Sequence, residues 1–335
     1  MTKKFLICLL VIVFLTTISL AEAQQPAGKV WRIGFLHDGI ASDPVNGFRI
    51  DSFHQGLRDL GYIEGKNLNI EYRYAEGRLE QLPKLADELV RLKVDILVVN
   101  NDRVARAAQN SSATIPVVMA SSGNPIGTRV ISSQARPGGS VTGLTSYTGE
   151  LLGKRLGLLK EVLPKVSRFA FLNDASSSSE QSASGAAFKD AQGTAKALGI
   201  KLQLVEVKAQ NPDLEGAFRF MVKERIGALV TSPTPPIGFH RKKILQLTEQ
   251  SRIPAMHPAQ DWANDGGLMS YGANTADQYR RAAVYVDKIF KGTKPADLPV
   301  EGPMKFEFVI NLKAAKQISV TVPQSVLFRA DKVIR

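Results

Sequence analysis

The chain lacks the residue patterns of the common catalytic centres. It contains no G-x-S-x-G nucleophile turn, no G-x-G-x-x-G or Walker phosphate loop, and no H-E-x-x-H or cysteine spacing for a metal ion. Its histidines share no spacing typical of metal ligands; they are His37, His54, His240 and His257. A pair of carboxylates for hydrolysis stays possible, although no pair is marked out. We therefore expect no catalytic centre, no metal and no cofactor.

Polar residues instead follow the predicted strands, at the edge where open α/β sheets bind ligands. They carry hydrogen-bonding groups or aromatic rings, which are typical of a recognition pocket rather than a reaction centre. In the first half of the chain they are His37, Asp38, Asn100, Asn101, Ser121, Ser122, Thr145, Ser146 and Tyr147. In the second half they are Asn173, Asp174, Ser232, Thr234, His257, Asp261, Trp262 and Ser270.

Structural roles compete with ligand contact at several of these positions. Capping the helix or turn that follows is the commoner role of an aspartate after a strand, and the repetition of Asp38 and Asp174 fits either capping or ligand contact. His257 precedes a proline and could be a buried structural histidine. The stretch 121–124 offers either backbone N–H groups for a carboxylate or a plain turn. Trp262 could stack on a planar ligand or pack between lobes.

An internal repeat indicates the scaffold that must position these residues. WRIGFLHD (31–38) recurs as SRFAFLND (167–174), and GLTSY (143–147) recurs as GLMSY (267–271). A Leu-Gly pair and an Ile-Pro pair also recur in the same order between these two matches. Two similar α/β lobes in one chain imply a cleft between them, where we expect the function to lie.

Short apolar runs alternate with amphipathic stretches, which predicts an α/β fold with parallel sheets. The predicted strands are 30–36, 68–74, 95–99, 116–119 and 141–144, then 168–172, 201–207, 227–231, 254–257 and 267–270. The predicted helices are 45–60, 79–92, 102–110, 149–162, 178–198, 212–225 and 238–250. Beyond the repeat follow a helix at 274–291, a Pro-punctuated connector at 292–303 and a strand at 305–312.

The repeat also predicts how the lobes divide the chain. We expect an N-terminal lobe of residues 28–144 plus 272–300 and a C-terminal lobe of 145–271 plus 301–335. The two GLxSY elements would then be hinge strands, and the last strand would supply a third crossing. Such a hinge restricts the lobes to opening and closing about the cleft. The alternative is that both elements are ordinary core strands.

The N-terminus predicts export. Lys3 and Lys4 precede an apolar run at 5–20, and Ala21-Glu22-Ala23 resembles a cleavage site, so residues 1–23 are interpreted as a signal peptide. The run is shorter than the roughly 20 residues of a membrane span, although an uncleaved anchor is the alternative. The only cysteine, Cys8, lies within this segment, which excludes disulfides and a lipid anchor from the mature chain. We expect a soluble periplasmic protein.

The formal net charge of +12 raises the question of an anionic partner. Lysines and arginines are spread along the chain without a dense basic stripe, and export makes nucleic acid an unsuitable partner. The charge is interpreted as a solvated surface that could steer anionic ligands.

Several long strings resemble the ABC transporter substrate-binding protein family, especially relatives from tryptophan/tyrosine-type uptake systems. They are LPKLADELV and VDILV within 82–99, PGG-x-VTG-LT (137–145), GGLMSYG (266–272), KGTKPADLPV (291–300) and KFEFVINLKAAK (305–316). The resemblance implies a type I periplasmic-binding-protein fold of two doubly wound lobes with three crossovers. It also implies a solute held between the lobes and delivered to a membrane permease with ATPase subunits. Some members bind aromatic amino acids.

The favoured interpretation is therefore a monomeric solute-binding protein without bond chemistry. For an amino acid, Asp38 or Asp174 would hold the ammonium group, and hydroxyls would hold the carboxylate. The hydroxyl candidates are Ser121, Ser122, Thr145 and Ser146. Two alternatives stay open: an exported α/β enzyme with its site in the same cleft, and a sensory module that docks on a membrane receptor.

Overall fold

The first lobe is a five-stranded parallel sheet in the computed structural model, which describes residues 29–146, 151–178 and 182–335. The strand order is β2-β1-β3-β4-β5, and all four pairs are parallel. The strands are β1 (Trp31–His37), β2 (Leu68–Tyr74), β3 (Ile96–Val99), β4 (Val117–Met119) and β5 (Val141–Gly143).

Helices cover both faces of this sheet because the strands are apolar on both faces. Helix α1 (Pro44–Asp59) packs on the face that carries Phe35. Helices α2 (Leu82–Arg91) and α3 (Asp102–Ser111) pack on the opposite face, which carries Leu36. Successive side chains of a strand point to opposite faces, so one strand feeds two separate cores. The result is the doubly wound arrangement predicted from the sequence.

The second lobe repeats this plan around a seven-stranded sheet. Its order is β12-β11-β10-β9-β8-β6-β7, and its pairs are parallel except for the antiparallel pair of β10 and β11. The strands are β6 (Arg168–Asp174), β7 (Lys201–Val207), β8 (Ala228–Thr231), β9 (Ala255–His257), β10 (Met269–Ala273), β11 (Phe306–Asn311) and β12 (Lys332–Ile334). Its first helices are α4 (Leu151–Val162), α5 (Ala183–Ala197), α6 (Leu214–Lys223), α7 (Pro235–Phe239), α8 (Arg241–Ser251) and α9 (Gln260–Asn264).

The chain then returns to the first lobe and leaves it again. After β10 comes α10 (Thr275–Phe290), which packs on α1 and joins the first lobe's core. The chain crosses back before β11, and α11 (Leu312–Gln317) and α12 (Gln324–Leu327) complete the second lobe. The predicted fold class, two doubly wound lobes joined by crossovers, is confirmed.

The crossing segments lie side by side. Thr145 N donates to Glu301 O at 2.9 Å, and Leu144 forms an isolated parallel bridge with Glu301. Asn274 N donates to Lys305 O at 3.0 Å, next to the start of the β10–β11 ladder. The segment 301–306 therefore runs between the other two crossings. The predicted lobe boundaries lie within or beside these segments and stay a prediction.

The repeated residues occupy equivalent places in the two lobes. Strands β1 and β6 each pair over their full length with the following strand. Gly61 and Gly199, from the repeated Leu-Gly pair, follow α1 and α5 with φ of 87° and 64°. Glycine adopts this left-handed conformation without a Cβ clash, so both act as helix stops.

The structure corrects some element boundaries. The helix predicted at 178–198 begins only at Ala183, because residues 175–177 form a 3₁₀ turn after β6. The region predicted as one helix at 238–250 is divided between α7 and α8. The predicted signal peptide and Tyr147 lie outside the described residues. Among the helices that are described, none is long and apolar enough to cross a membrane.

Candidate functional site

A cavity of about 490 Å³ lies between the lobes and is lined by residues of both. It is bounded by the carboxyl ends of parallel strands, the position at which such sheets bind ligands. The predicted site residues that line it are His37, Asp38, Asn100, Asn101, Ser121, Ser146, Ser232, Thr234, Asp261 and Trp262. The cavity falls within the volume range of small-molecule sites.

The remaining predicted residues are not part of the cavity lining in this structure. They are Ser122, Thr145, Asn173, Asp174, His257 and Ser270, and all of them are buried. Ser122 and Thr145 belong to the crossing region, where Ser122 O accepts hydrogen bonds from Thr145 Oγ1 (2.9 Å) and Ser146 Oγ (3.0 Å). Direct ligand contact by these residues stays a prediction.

The first lobe fixes Asp38 with two amides. Asn100 Nδ2 and Asn101 Nδ2 each donate to one carboxylate oxygen of Asp38, both at 2.7 Å. Asn101 also caps α3, accepting a hydrogen bond from Val104 N. Each oxygen of Asp38 therefore already accepts one hydrogen bond, which fixes this carboxylate within the first lobe's wall of the cavity.

His37 is neutral at this wall. Its Nδ1 accepts from Gly39 N at 2.8 Å, which leaves any ring proton on Nε2. Burial lowers the pKa of His37 to about 4; the neighbouring Asp38 opposes this shift, and the Arg49 charge adds to it. His37 Nε2 is buried and has no hydrogen-bond partner within the described part of the chain.

The second lobe presents a wall of hydroxyl groups. Asn173 organises it from beneath, donating to Ser177 O (3.2 Å) and accepting from Ser184 Oγ (2.8 Å). Asp174 accepts a hydrogen bond from Ser176 Oγ, whereas its Oδ2 is buried and has no partner among the described residues. The cavity-lining hydroxyls here are Ser176, Ser177, Ser182, Ser184, Ser232 and Thr234.

An aromatic pair supports the cavity from the same lobe. The rings of His257 and Trp262 stack with centroids 4.5 Å apart and planes 12° apart. His257 Nδ1 forms a hydrogen bond with Thr231 Oγ1 at 3.0 Å, and burial, with the charge of Arg155, lowers its pKa to about 3. His257 is therefore a neutral support for Trp262, the residue of the pair that lines the cavity.

Ion pairs join the two lobes across the boundary. Arg241 of α8 binds Asp265 (2.7 Å) and Asp261 (3.4 Å) of its own lobe. It also lies 3.6 Å from Asp43, which caps α1 in the first lobe. Arg49 of α1 lies 3.8 Å from Asp261 of the second lobe. These contacts require the lobes to be close together, so the structure represents a closed state.

Helix α10 contributes the floor of the crossing region. Gln278 Nε2 donates to Thr145 O (2.9 Å), and Gln278 Oε1 accepts from Ser121 Oγ (3.3 Å). Tyr279 is buried, which raises its pKa to about 12. Both residues line the cavity, so a segment late in the chain completes the first lobe's side of it.

The sequence analysis missed the charged residues that helices bring to the cavity. They are Asp43, Arg49, Asp102, Arg103, Arg106 and Arg241. The predictions concerned the ends of strands, whereas these side chains come from the N-caps and the first two turns of helices. The N-cap signals at Asp43 and Asn101 could have indicated which helix starts face the cleft. No cluster of three or more His, Cys, Asp or Glu suited to a metal occurs in the described ranges.

Comparison with known proteins supports this architecture. The Tyrosine-binding protein of Clostridioides difficile is 23% identical over 271 residues, covering 80% of this chain and 75% of that protein. A conserved domain protein from Vibrio cholerae superposes with a TM-score of 0.82 at 24% identity, covering 91% of this chain and 100% of its own. The ABC domain from Streptococcus pneumoniae in complex with L-Trp gives 0.79 at 24% identity, with coverage of 90% and 100%.

The fold is that of the type I periplasmic binding proteins, as the resemblance implied. A profile described as ABC transporter substrate binding protein matches residues 40–334, which include both lobes and all three crossings. A match of this extent includes all the residues that line the cavity except His37, Asp38 and Gly39. The chain belongs to the ABC transporter substrate-binding protein family.

Proposed function

We propose that this protein captures an amino acid, with an aromatic side chain, for an ABC uptake transporter. It works in the periplasm after removal of residues 1–23 and delivers the solute to a membrane permease with ATPase subunits. It acts as a monomer, uses no cofactor and does not bind nucleic acid. The observation that carries the proposal is the cavity of about 490 Å³ between the lobes, to which both lobes contribute hydrogen-bonding side chains.

Closure supplies the mechanism. A solute that contacts both walls gains its full set of hydrogen bonds only when the lobes are together. It therefore shifts the population toward the closed state by its differential affinity for that state. The hydroxyl wall of the second lobe and the amide-anchored wall of the first provide polar contacts on opposite sides.

An aromatic side chain has a specific place in this proposal. Trp262 is held rigidly by His257, and Phe239 also lines the cavity. A planar ligand group can stack on such a ring with little loss of side-chain entropy, because the ring is already fixed. The tyrosine-binding relative and the neighbour in complex with L-Trp support the same ligand class.

Thermal unfolding of the mature protein, refolded free of carried solute, tests the proposal. The panel comprises the standard L-amino acids, glucose, galactose and benzoate. A ligand at about 100 times its Kd adds roughly 2.7 kcal/mol, which raises Tm by several degrees. We expect L-tryptophan or L-tyrosine to give the largest shift and to be recovered unchanged. A ligand that returns chemically altered would instead indicate an enzyme, and no shift with any compound would refute the proposal.

A further inference from the structure

Arg49 stands out among the charged side chains of the cavity because its guanidinium makes no hydrogen bond in the part of the chain that the structure describes. Its Nε is buried without a partner. Its nearest acidic atom, Asp261 Oδ2, lies 3.8 Å from Nη2, beyond hydrogen-bond distance. The side chain is 23% exposed and lines the cavity. A partly buried guanidinium with unused donors is an open position for an anionic partner.

On the other lobe, Asp261 likewise has a side-chain atom without a hydrogen-bond partner in the described part of the chain. Its Oδ2 is in contact with Arg241 at 3.4 Å, whereas its Oδ1 is buried and unbonded within the described residues. Its side chain is 13% exposed and also lines the cavity, directly before Trp262. Since an unpaired buried carboxylate oxygen costs free energy, Asp261 retains capacity for a cationic donor.

Two other cavity carboxylates, Asp38 and Asp43, are better occupied. Both oxygens of Asp38 accept amide hydrogen bonds. Asp43 accepts from Val45 N and faces Arg241. Among the cavity carboxylates, Asp261 is thus the one with a buried oxygen left unbonded in the described ranges.

Electrostatics within the first lobe's wall of the cavity agree with this position for Arg49. Burial lowers the pKa of His37 to about 4, and the Arg49 charge adds to this shift. Burial raises the pKa of Tyr279 to about 12, and the Arg49 charge opposes that rise. His37 is therefore neutral, and no histidine cation competes with Arg49 for an anion there.

We propose that Arg49 and Asp261 read the two charges of a zwitterionic amino acid, Arg49 holding its carboxylate and Asp261 its ammonium group. The two groups are attached to one carbon, which suits side chains that already lie close together. Arg49 belongs to the first lobe and Asp261 to the second. The carboxylate and ammonium groups at one end of the ligand would therefore connect the two lobes. This assignment rests on the proposed function, and it replaces Asp38 and Asp174 as ammonium partners.

Ligands that lack one charge test the assignment. Calorimetry compares L-tryptophan with L-tryptophanamide, which lacks the carboxylate, and with indole-3-propionate, which lacks the ammonium group. We expect each analogue to bind the native protein about 10- to 100-fold more weakly, the usual effect of lost charge-assisted hydrogen bonds. Where binding is too weak for calorimetry, the Tm shift at saturating ligand gives the order.

Variants then assign each charge to its residue. Arg49→Gln should weaken L-tryptophan and indole-3-propionate by about 10- to 100-fold while leaving L-tryptophanamide unchanged, and Arg49→Lys should recover part of the loss. Asp261→Asn should weaken L-tryptophan and L-tryptophanamide but not indole-3-propionate. Arg91→Gln, on the exposed end of α2, is the matched control and should change nothing.

The contrary outcomes are distinct from failure of the proposed function. If Arg49→Gln weakens all three ligands equally, Arg49 only holds the lobes together, and the assignment is wrong. If L-tryptophan binds but neither analogue binds more weakly, the proposed function stands and the zwitterion assignment is wrong. If glucose, galactose or benzoate binds tightly while no amino acid does, the proposed ligand class and the assignment are both wrong. If no compound of the panel binds, both proposals fail.

Discussion

The two lobes carry an aspartate at equivalent positions, but the two carboxylates differ in their hydrogen bonding. Asp38 follows β1 and Asp174 ends β6, and both side chains are buried. In the first lobe, Asn100 and Asn101 bond both oxygens of Asp38. In the second, Ser176 is the one described residue that bonds the Asp174 carboxylate, and Oδ2 has no described partner.

The cause lies in the neighbouring strand rather than in the repeated one. Strand β3 beside β1 is followed by Asn100 and Asn101, whose amides reach the carboxylate. Strand β8 beside β6 is followed by Ser232, which bonds Thr234 instead (2.9 Å). A serine side chain is shorter than an asparagine side chain. Asp174 Oδ2 is therefore left without a hydrogen bond among the described residues. The repeated strands therefore place the two aspartates equivalently, whereas the residues that follow the neighbouring strands decide how each carboxylate is hydrogen-bonded.

The largest expected effect contrasts the two aspartates. Asp38→Ala leaves two partly buried amides without their charged acceptor and should reduce the free energy of unfolding by about 3 kcal/mol. Asp174→Ala removes one serine contact together with an unbonded oxygen, so the loss should be about 1 kcal/mol. Urea denaturation of both variants measures the difference. Equal losses would mean that the contrast in hydrogen bonding has no energetic weight.

The next largest expected effect is the pH dependence of the free energy of unfolding that is due to His37. The pKa of His37 is lowered to about 4 in the folded state, so between pH 6.5 and about 4 only the unfolded chain takes up this proton. Stability due to neutral His37 is thus complete above pH 6.5 and is lost as the pH falls. The loss between pH 7 and pH 5 should be about 2 kcal/mol.

His37→Asn isolates this contribution, because Asn173 is the equivalent residue of the second lobe. Urea denaturation at pH 7 and pH 5 should show a smaller decrease in the variant than in the native protein, by about 2 kcal/mol. His257, whose pKa is lowered to about 3, keeps its own pH dependence in both proteins. An unchanged decrease in the variant would contradict a neutral His37.

The smallest effect concerns the contact between lobes. Asp43→Asn removes the charge that faces Arg241 but keeps a side chain that caps α1 equally well. The closed state should lose about 0.5–1 kcal/mol, as exposed ion pairs usually contribute. Small-angle scattering should then show a larger radius of gyration without solute and the native value at saturation. An unchanged radius in both conditions would exclude a role in closure.

The sequence predicted the scaffold because the scaffold follows from local patterns. Apolar runs such as 95–99 and 227–231 form buried strands, and the repeated Leu-Gly pair stops equivalent helices. Polar residues directly after strands were expected in the cleft, and Asn100, Ser232 and others do line the cavity. The short turn after β6 was missed, because its serine-rich sequence is equally compatible with a helix start.

The site was less predictable, because which side chains meet depends on how the lobes close. Arg49 and Asp261 are 212 positions apart in the chain, and no periodicity relates them. His257 could be assigned to the support of Trp262 only when the ring stacking was visible.

By itself, the sequence determined two α/β lobes, their order of strands and helices, and the strand ends that border a cleft. These depend on hydrophobic periodicity and turn residues, which act over short stretches of chain. Tertiary structure decided which charges face each other across the cleft and which polar atoms are left unbonded. Those properties depend on distances between separate lobes, and Coulomb and hydrogen-bond energies change steeply over a few ångströms.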